Sequence, residues 1–161
     1  MANVSHVKSK TFAANGADTT AICANQTNTG GGNMTLTNTN GVLVPGNLGT
    51  TVTIVSTASD SNTGITFDVI GKGVDGTSVS QSGITGPAGT STVTTSQVFT
   101  EVTRIVHSGT CTNVSCGITA STTGTGVVTA GRTRIRGMHI KPSGTAGLID
   151  FKNTSSSGTK L

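Results

Sequence analysis

The stretch Gly64-Ile65-Thr66-Phe67-Asp68-Val69-Ile70-Gly71-Lys72-Gly73-Val74-Asp75-Gly76 alternates apolar and polar side chains and then turns. At the two-residue period of an extended chain, Ile65, Phe67 and Val69 share one face while Thr66 and Asp68 share the other. That pattern predicts a half-buried strand with one wet side. Asp75-Gly76 supplies residues that tolerate the positive φ of a tight hairpin. The partner strand is predicted from about Thr77 to Gln81.

The same reading extends in both directions. Upstream, Thr51 to Val55 alternates and is closed by the turn Ser59 to Gly64, while Met34 to Thr37 and Val42 to Val44 give shorter strands. Downstream, Gly86-Pro87-Ala88-Gly89 turns the chain into strands at Ser91 to Thr95, Val98-Phe99, Val102 to Val106, Val114 to Ala120 and Gly126 to Val128. Short strands with regular turn signals predict an all-β fold, an antiparallel β-sandwich or barrel-like domain. No window carries apolar residues at helical spacing together with strong helix formers. The expected organisation is an extended N-terminal arm over 1–32, a β-sandwich over 33–130, and a basic β-ribbon with a loose end over 131–161.

Composition narrows the function class. The 161 residues hold 23 Gly, no Trp, no Tyr and a single Glu, Glu101, and Thr, Ser and Gly together approach half the chain. Charged residues are 10% and hydrophobic residues 32%, so the core is thin and neighbours are expected to supplement it. Residues 1–131 have a net charge of −1 and residues 132–161 one of +5, which together give the +4 of the chain. Such a composition suits an outward-facing protein, yet the chain starts Met1-Ala2-Asn3-Val4-Ser5-His6 without the apolar stretch of a secretory signal. Virion proteins face outward and are nonetheless made in a cytoplasm, and this is the expected class.

Motifs with chemistry fail on context. Gly71-Lys72-Gly73-Val74-Asp75-Gly76 matches a dinucleotide fingerprint, but strand-like Thr77-Ser78-Val79 follows where a helix would have to begin. Asp60-Ser61-Asn62-Thr63-Gly64 resembles the opening of a calcium loop and lacks the bidentate acid further on. No nucleophile elbow or zinc-protease motif occurs, and His6, His107 and His139 stand in unrelated contexts. Cys23, Cys111 and Cys116 read first as free buried thiols. The alternative is a Cys111–Cys116 disulfide formed after release from a reducing cell. No catalytic group, cofactor or metal site is expected.

Arg132-Thr133-Arg134-Ile135-Arg136 places three guanidinium groups on one face of a strand. With Ile149 and Phe151 from the second strand of the ribbon, Arg132, Arg134, Arg136 and Ile135 form the candidate subunit interface. Contact with an acidic neighbouring subunit ranks first, a charged edge strand second, and nucleic acid last, because aromatic platforms are missing.

Gly64 to Gly71, the Asp75-Gly76 turn, Gly86-Pro87-Ala88-Gly89-Thr90 and Phe99-Thr100-Glu101-Val102-Thr103-Arg104-Ile105 together resemble a β domain of small virion proteins of tailed bacteriophages. The resemblance covers about residues 50–110 and departs from the pattern at Ser80-Gln81, where relatives often carry Ser-Glu. The ribbon over Arg132 to Phe151 also resembles the opening of a second β unit of tail-associated phage proteins. The resemblance implies a non-enzymatic structural protein of the virion, assembled in the host cytoplasm. The first expectation is a capsid decoration or cement protein that contacts itself, as a homo-oligomer, and the major capsid protein or other virion subunits, with no membrane involved. The alternatives are a tail, collar or fibre component and, from another class, a cell-surface adhesin or carbohydrate-binding module.

Overall fold

The computed structural model describes residues 12–44, 48–57, 59 and 61–120, all within the unit Met1–Val128. Among them every regular element is a strand: β1 (Asp18–Asn28), β2 (Gly32–Asn33), β3 (Val42–Leu43), β4 (Thr50–Ser56), β5 (Thr66–Lys72), β6 (Ser78–Thr85), β7 (Thr92–Phe99), β8 (Glu101–His107) and β9 (Cys111–Ile118). One antiparallel sheet runs β1-β9-β4-β7 and the other β2-β8-β5-β6, with β3 on β8 as well. The two sheets pack face to face, so the fold is an antiparallel β-sandwich.

Strand β5 behaves as its alternation requires. It lies between β6 and β8, with Phe67 and Val69 fully buried. Opposite them, Val52 and Ile54 of β4, Phe99 of β7 and Val114 of β9 close the core. Burying a side chain of this kind is worth about 1.5–3 kcal/mol, and Phe67 and Phe99 are the two largest that are wholly enclosed. At the next inward position on β5 stands Gly71. A Cβ there would collide with the Glu101 carbonyl and press on the Phe99 ring, so only glycine lets β5 and β8 close over that ring. The fingerprint-like glycines are thus a strand end and a hairpin turn, in which Gly73 N–H donates to Thr77 O at 2.9 Å.

The ladders are irregular, and the irregularities follow one rule. Where β6 gains a residue against β5, Gly83 sits at φ 71°, and Asp68 Oδ1 accepts its N–H at 2.8 Å. That is the geometry of a bulge with glycine at its left-handed position. Where β7 shifts against β4, Thr95 Oγ1 accepts from Val52 N–H at 2.9 Å and donates to Gln97 O at 2.8 Å. Where β8 shifts against β5, Thr103 Oγ1 donates to Ile70 O at 3.1 Å. On β9, Asn113 is left-handed at φ 51°, and its N–H donates to Thr27 Oγ1 on β1. At these four places a short polar side chain completes the pairing that the irregularity interrupts.

Several boundaries depart from the sequence reading. The arm expected over 1–32 contains β1, whose Ile22 and Cys23 are fully buried and which pairs with β9, so the sandwich begins before residue 33. Strand β7 is continuous through Gln97 rather than broken into two pieces. Met34 to Thr37 is a crossover instead of a strand. Met34 N–H donates to Ile105 O on β8, and Thr37 N–H donates to Ile22 O on β1, both at 2.9 Å, which ties the edges of the two sheets. Residues 1–11 of the expected arm, the strand at Gly126 to Val128 and the whole ribbon over 131–161 lie outside the described residues.

The turn before β5 is anchored by Asn62, which is buried. Its side chain imitates a strand: Oδ1 accepts from Thr112 N–H at 2.9 Å and Nδ2 donates to Thr112 O at 3.1 Å. Its own N–H donates to Pro87 O at 2.9 Å. These bonds give Asn62 a structural role in the turn. Asn62→Ala leaves both polar groups of Thr112 without these partners and is expected to lower stability by about 2 kcal/mol in urea denaturation. Asn62→Asp restores only the acceptor and is expected to recover part of that loss.

Candidate interaction surface

The six residues Arg132, Arg134, Arg136, Ile135, Ile149 and Phe151 singled out in the sequence lie outside the described residues. What the described sandwich offers to a partner has therefore to be read from its own surface.

The carboxylates among the described residues are turned back onto the chain. Asp18 Oδ1 accepts from Thr20 N–H at 2.8 Å and from its hydroxyl at 2.9 Å. Asp75 Oδ1 accepts from the Thr77 hydroxyl at 2.7 Å and from its N–H at 3.0 Å. Asp68 holds the Gly83 bulge, and Glu101 pairs with Lys72 at 2.7 Å. Among the described residues no cluster of three His, Cys, Asp or Glu side chains is arranged to hold a metal ion. No helix among them is long and apolar enough to cross a membrane.

The buried histidine is also occupied. His107 Nδ1 lies 2.6 Å from Gly109 O. A carbonyl can only accept, so the imidazole carries its proton on Nδ1. Its ring packs at a tilt against Phe67, a core position.

A shallow groove of about 270 Å³ runs along β1 and is lined by Asn25, Gln26, Asn28, Thr35, Leu36 and neighbours. Its polar groups already serve one another. Gln26 Oε1 accepts from Thr35 N–H and from Asn28 Nδ2, and Gln26 Nε2 donates to Thr35 O. Asn25 Nδ2 reaches across β9 to Thr57 Oγ1 at 2.8 Å. The groove is a fastening between β1 and the crossover.

Among the described residues two large apolar side chains are exposed, Leu43 on β3 and Val98 on β7 just before the β7–β8 corner. Leu43 is 71% exposed and Val98 40%. Leu43 pairs with Glu101, and Val98 precedes Phe99 at the end of β7. Val44 N–H donates to Thr100 O and Thr100 N–H to Lys72 O, so β3, β5 and the corner are held together. The Lys72–Glu101 pair stands beside Leu43 as the described sandwich's salt bridge. The sequence held the signal for both residues. Leu43 lies between two inward valines, and Val98-Phe99 is an adjacent apolar pair, of which a strand can bury only one on a given face.

Comparison of the chain with protein-family models, with curated proteins and with solved structures gives no match.

The Asp18 and Asp75 bonds carry a pH dependence. The Thr20 N–H, then the Thr20 hydroxyl, hold Asp18 below the usual carboxylate value. The Thr77 hydroxyl, then the Thr77 N–H, do the same for Asp75. A carboxylate whose folded value is depressed contributes stability above its unfolded value and loses it as pH falls through the folded one. Replacing both with Asn is expected to flatten the fall in stability from about pH 4 downward, as read by urea denaturation at a series of pH values.

Proposed function

We propose that the protein is a non-enzymatic structural component of a virus particle, a decoration or cement subunit on the capsid of a tailed bacteriophage. The observation that carries this reading is how the sandwich uses its polar groups. Asp18, Asp68, Asp75, Glu101 and many amides and hydroxyls among the described residues bond to the chain's own bulges, turns and edges, while Leu43 and Val98 are left exposed. Such a body acts through shape and contact. A cementing subunit needs nothing more, because it stabilises a shell by covering joints between neighbours. The thin, small-residue core fits a protein that gains stability in an assembly, and the basic segment from residue 132 adds charge complementary to an acidic neighbour.

In this reading Arg132, Arg134 and Arg136 face acidic groups of a capsid subunit while Ile135, Ile149 and Phe151 supply apolar contact. Charge-assisted bonds in a contact that excludes water exceed the roughly 0–1 kcal/mol of an exposed pair.

Quantitative mass spectrometry of purified particles is the direct test. Copies in the hundreds are the expected result. A handful of copies would favour a collar or tail tip, and absence from particles would overturn the virion reading. Replacing the three arginines with Ser is expected to leave the melting transition of the sandwich in place and to weaken attachment to particles about tenfold or more. Leu43→Ser, at an exposed position, is expected to shift stability by no more than about 0.5 kcal/mol. Undiminished attachment of the arginine variant would reduce that segment to a charged edge, and loss of DNA retention alone would move it to nucleic acid.

A further inference from the structure

Cys111 and Cys116 lie on one strand, β9, and five steps at about 3.3 Å per residue separate the two thiols by far more than a disulfide spans. Their bond, one of the two readings open from sequence, is out of reach along an extended strand, and all three cysteines are free and buried. The left-handed turn of the chain at Asn113 resets the alternation of β9, so Cys111, Val114, Cys116 and Ile118 are all buried. The partner that faces Cys116 comes from another strand. In the β1–β9 ladder Cys23 is the residue directly opposite Cys116. Residues directly opposite in an antiparallel pair have Cβ atoms about 4.5–5.5 Å apart, close to the range a disulfide requires. Both side chains are wholly enclosed, and Cys116 Sγ also lies 3.6 Å from Met34 Sδ. The hydrogen bond with Cys23, followed by burial, pushes the Cys116 thiol well up.

We propose that Cys23 and Cys116 form an oxidisable pair, closed by a hydroperoxide to a cross-strand disulfide that fastens β1 to β9. Strand β1 is the edge of its sheet, and its register shifts between each successive pair of partners. Local opening of so irregular an edge admits an oxidant and lets one thiol ionise. That thiolate attacks the peroxide oxygen, the O–O bond breaks, and the leaving group departs with a proton, as water when the oxidant is hydrogen peroxide. The second sulfur then attacks the sulfenic sulfur. The S–S bond forms, the S–O bond breaks, and hydroxide leaves with the remaining thiol proton as water. Two thiols and one hydrogen peroxide thus give one disulfide and two waters, with the sulfurs oxidised and the peroxide reduced. Cys111 is left as a thiol, beside Asn28 Nδ2 at 3.9 Å.

The test uses the full chain. Reduced protein is exposed to dilute hydrogen peroxide, denatured, alkylated and mapped by peptide mass spectrometry, alongside Cys111→Ala. The expected result is one cross-linked peptide joining Cys23 to Cys116, with Cys111 alkylated, and the same cross-link in Cys111→Ala. The oxidised chain is also expected to melt roughly 5 °C or more higher, and dithiothreitol should reverse the shift, because the bond closes a long loop. Three alkylated thiols after oxidation, a cross-link containing Cys111, or a cross-link between chains would each overturn the proposal. The map is made on the parent chain, so it holds even where Cys23 or Cys116 variants fail to fold.

Discussion

Backbone groups that the ladders leave unpaired are the constraint around which this molecule is organised. An unpaired buried amide or carbonyl costs about as much as a lost hydrogen bond, and both sheets are interrupted repeatedly. Four of these interruptions are met by a side chain short enough to act locally: Thr95 at the β7 bulge, Asp68 at Gly83, Thr103 at Ile70, Thr27 at Asn113. Gln81 performs the same service between sheets. Its Oε1 accepts from the N–H groups of Ser96 and Gln97 at 2.8 and 2.9 Å, which joins β6 to β7 where the sheets part.

This accounts for a composition that otherwise looks like surface decoration. Thr and Ser are small, carry a donor and an acceptor each, and, for Thr, favour strands. A sandwich with few large apolar residues has short reach between its sheets, and bulges let strands bend to close over what core there is. Bulges in turn demand hydroxyls and amides beside them. The thin core and the hydroxyl-rich strands are therefore two aspects of one solution.

The same physics sets what was legible in the sequence. Thr51 to Ile54 and Ile65 to Val69 alternate, and β4 and β5 lie where that alternation puts them, whereas on β8 the inward Val102 and Ile105 are three apart because the bulge at Thr103 falls between them. Strand β1 was invisible because its register slips between Asp18 and Cys23, again before Gln26 and again before Asn28. Ile22 and Cys23 are neighbours in sequence and both enclosed, so no two-residue period survives. Strand β9 hid its start for the same reason, with Asn113 breaking the period after Cys111. The exposed corner was readable at Leu43, between Val42 and Val44. The facing of Cys23 and Cys116 was not, since it depends on a register between two residues more than ninety positions apart that local pattern does not encode.

Edges complete the argument. A free strand edge invites another chain to extend the ladder. Here the edge of β1 is crossed by Thr37, whose N–H and hydroxyl donate to Ile22 O and Ala21 O. The β6 and β7 edges face each other through Gln81, and β8 carries β2 and β3 along its outer side. Adding a strand over Ala21 and Ile22 would break bonds already made to Thr37. A partner that binds the sandwich without unfolding it therefore meets side chains and corners, where apolar exposure such as that of Leu43 has somewhere to go.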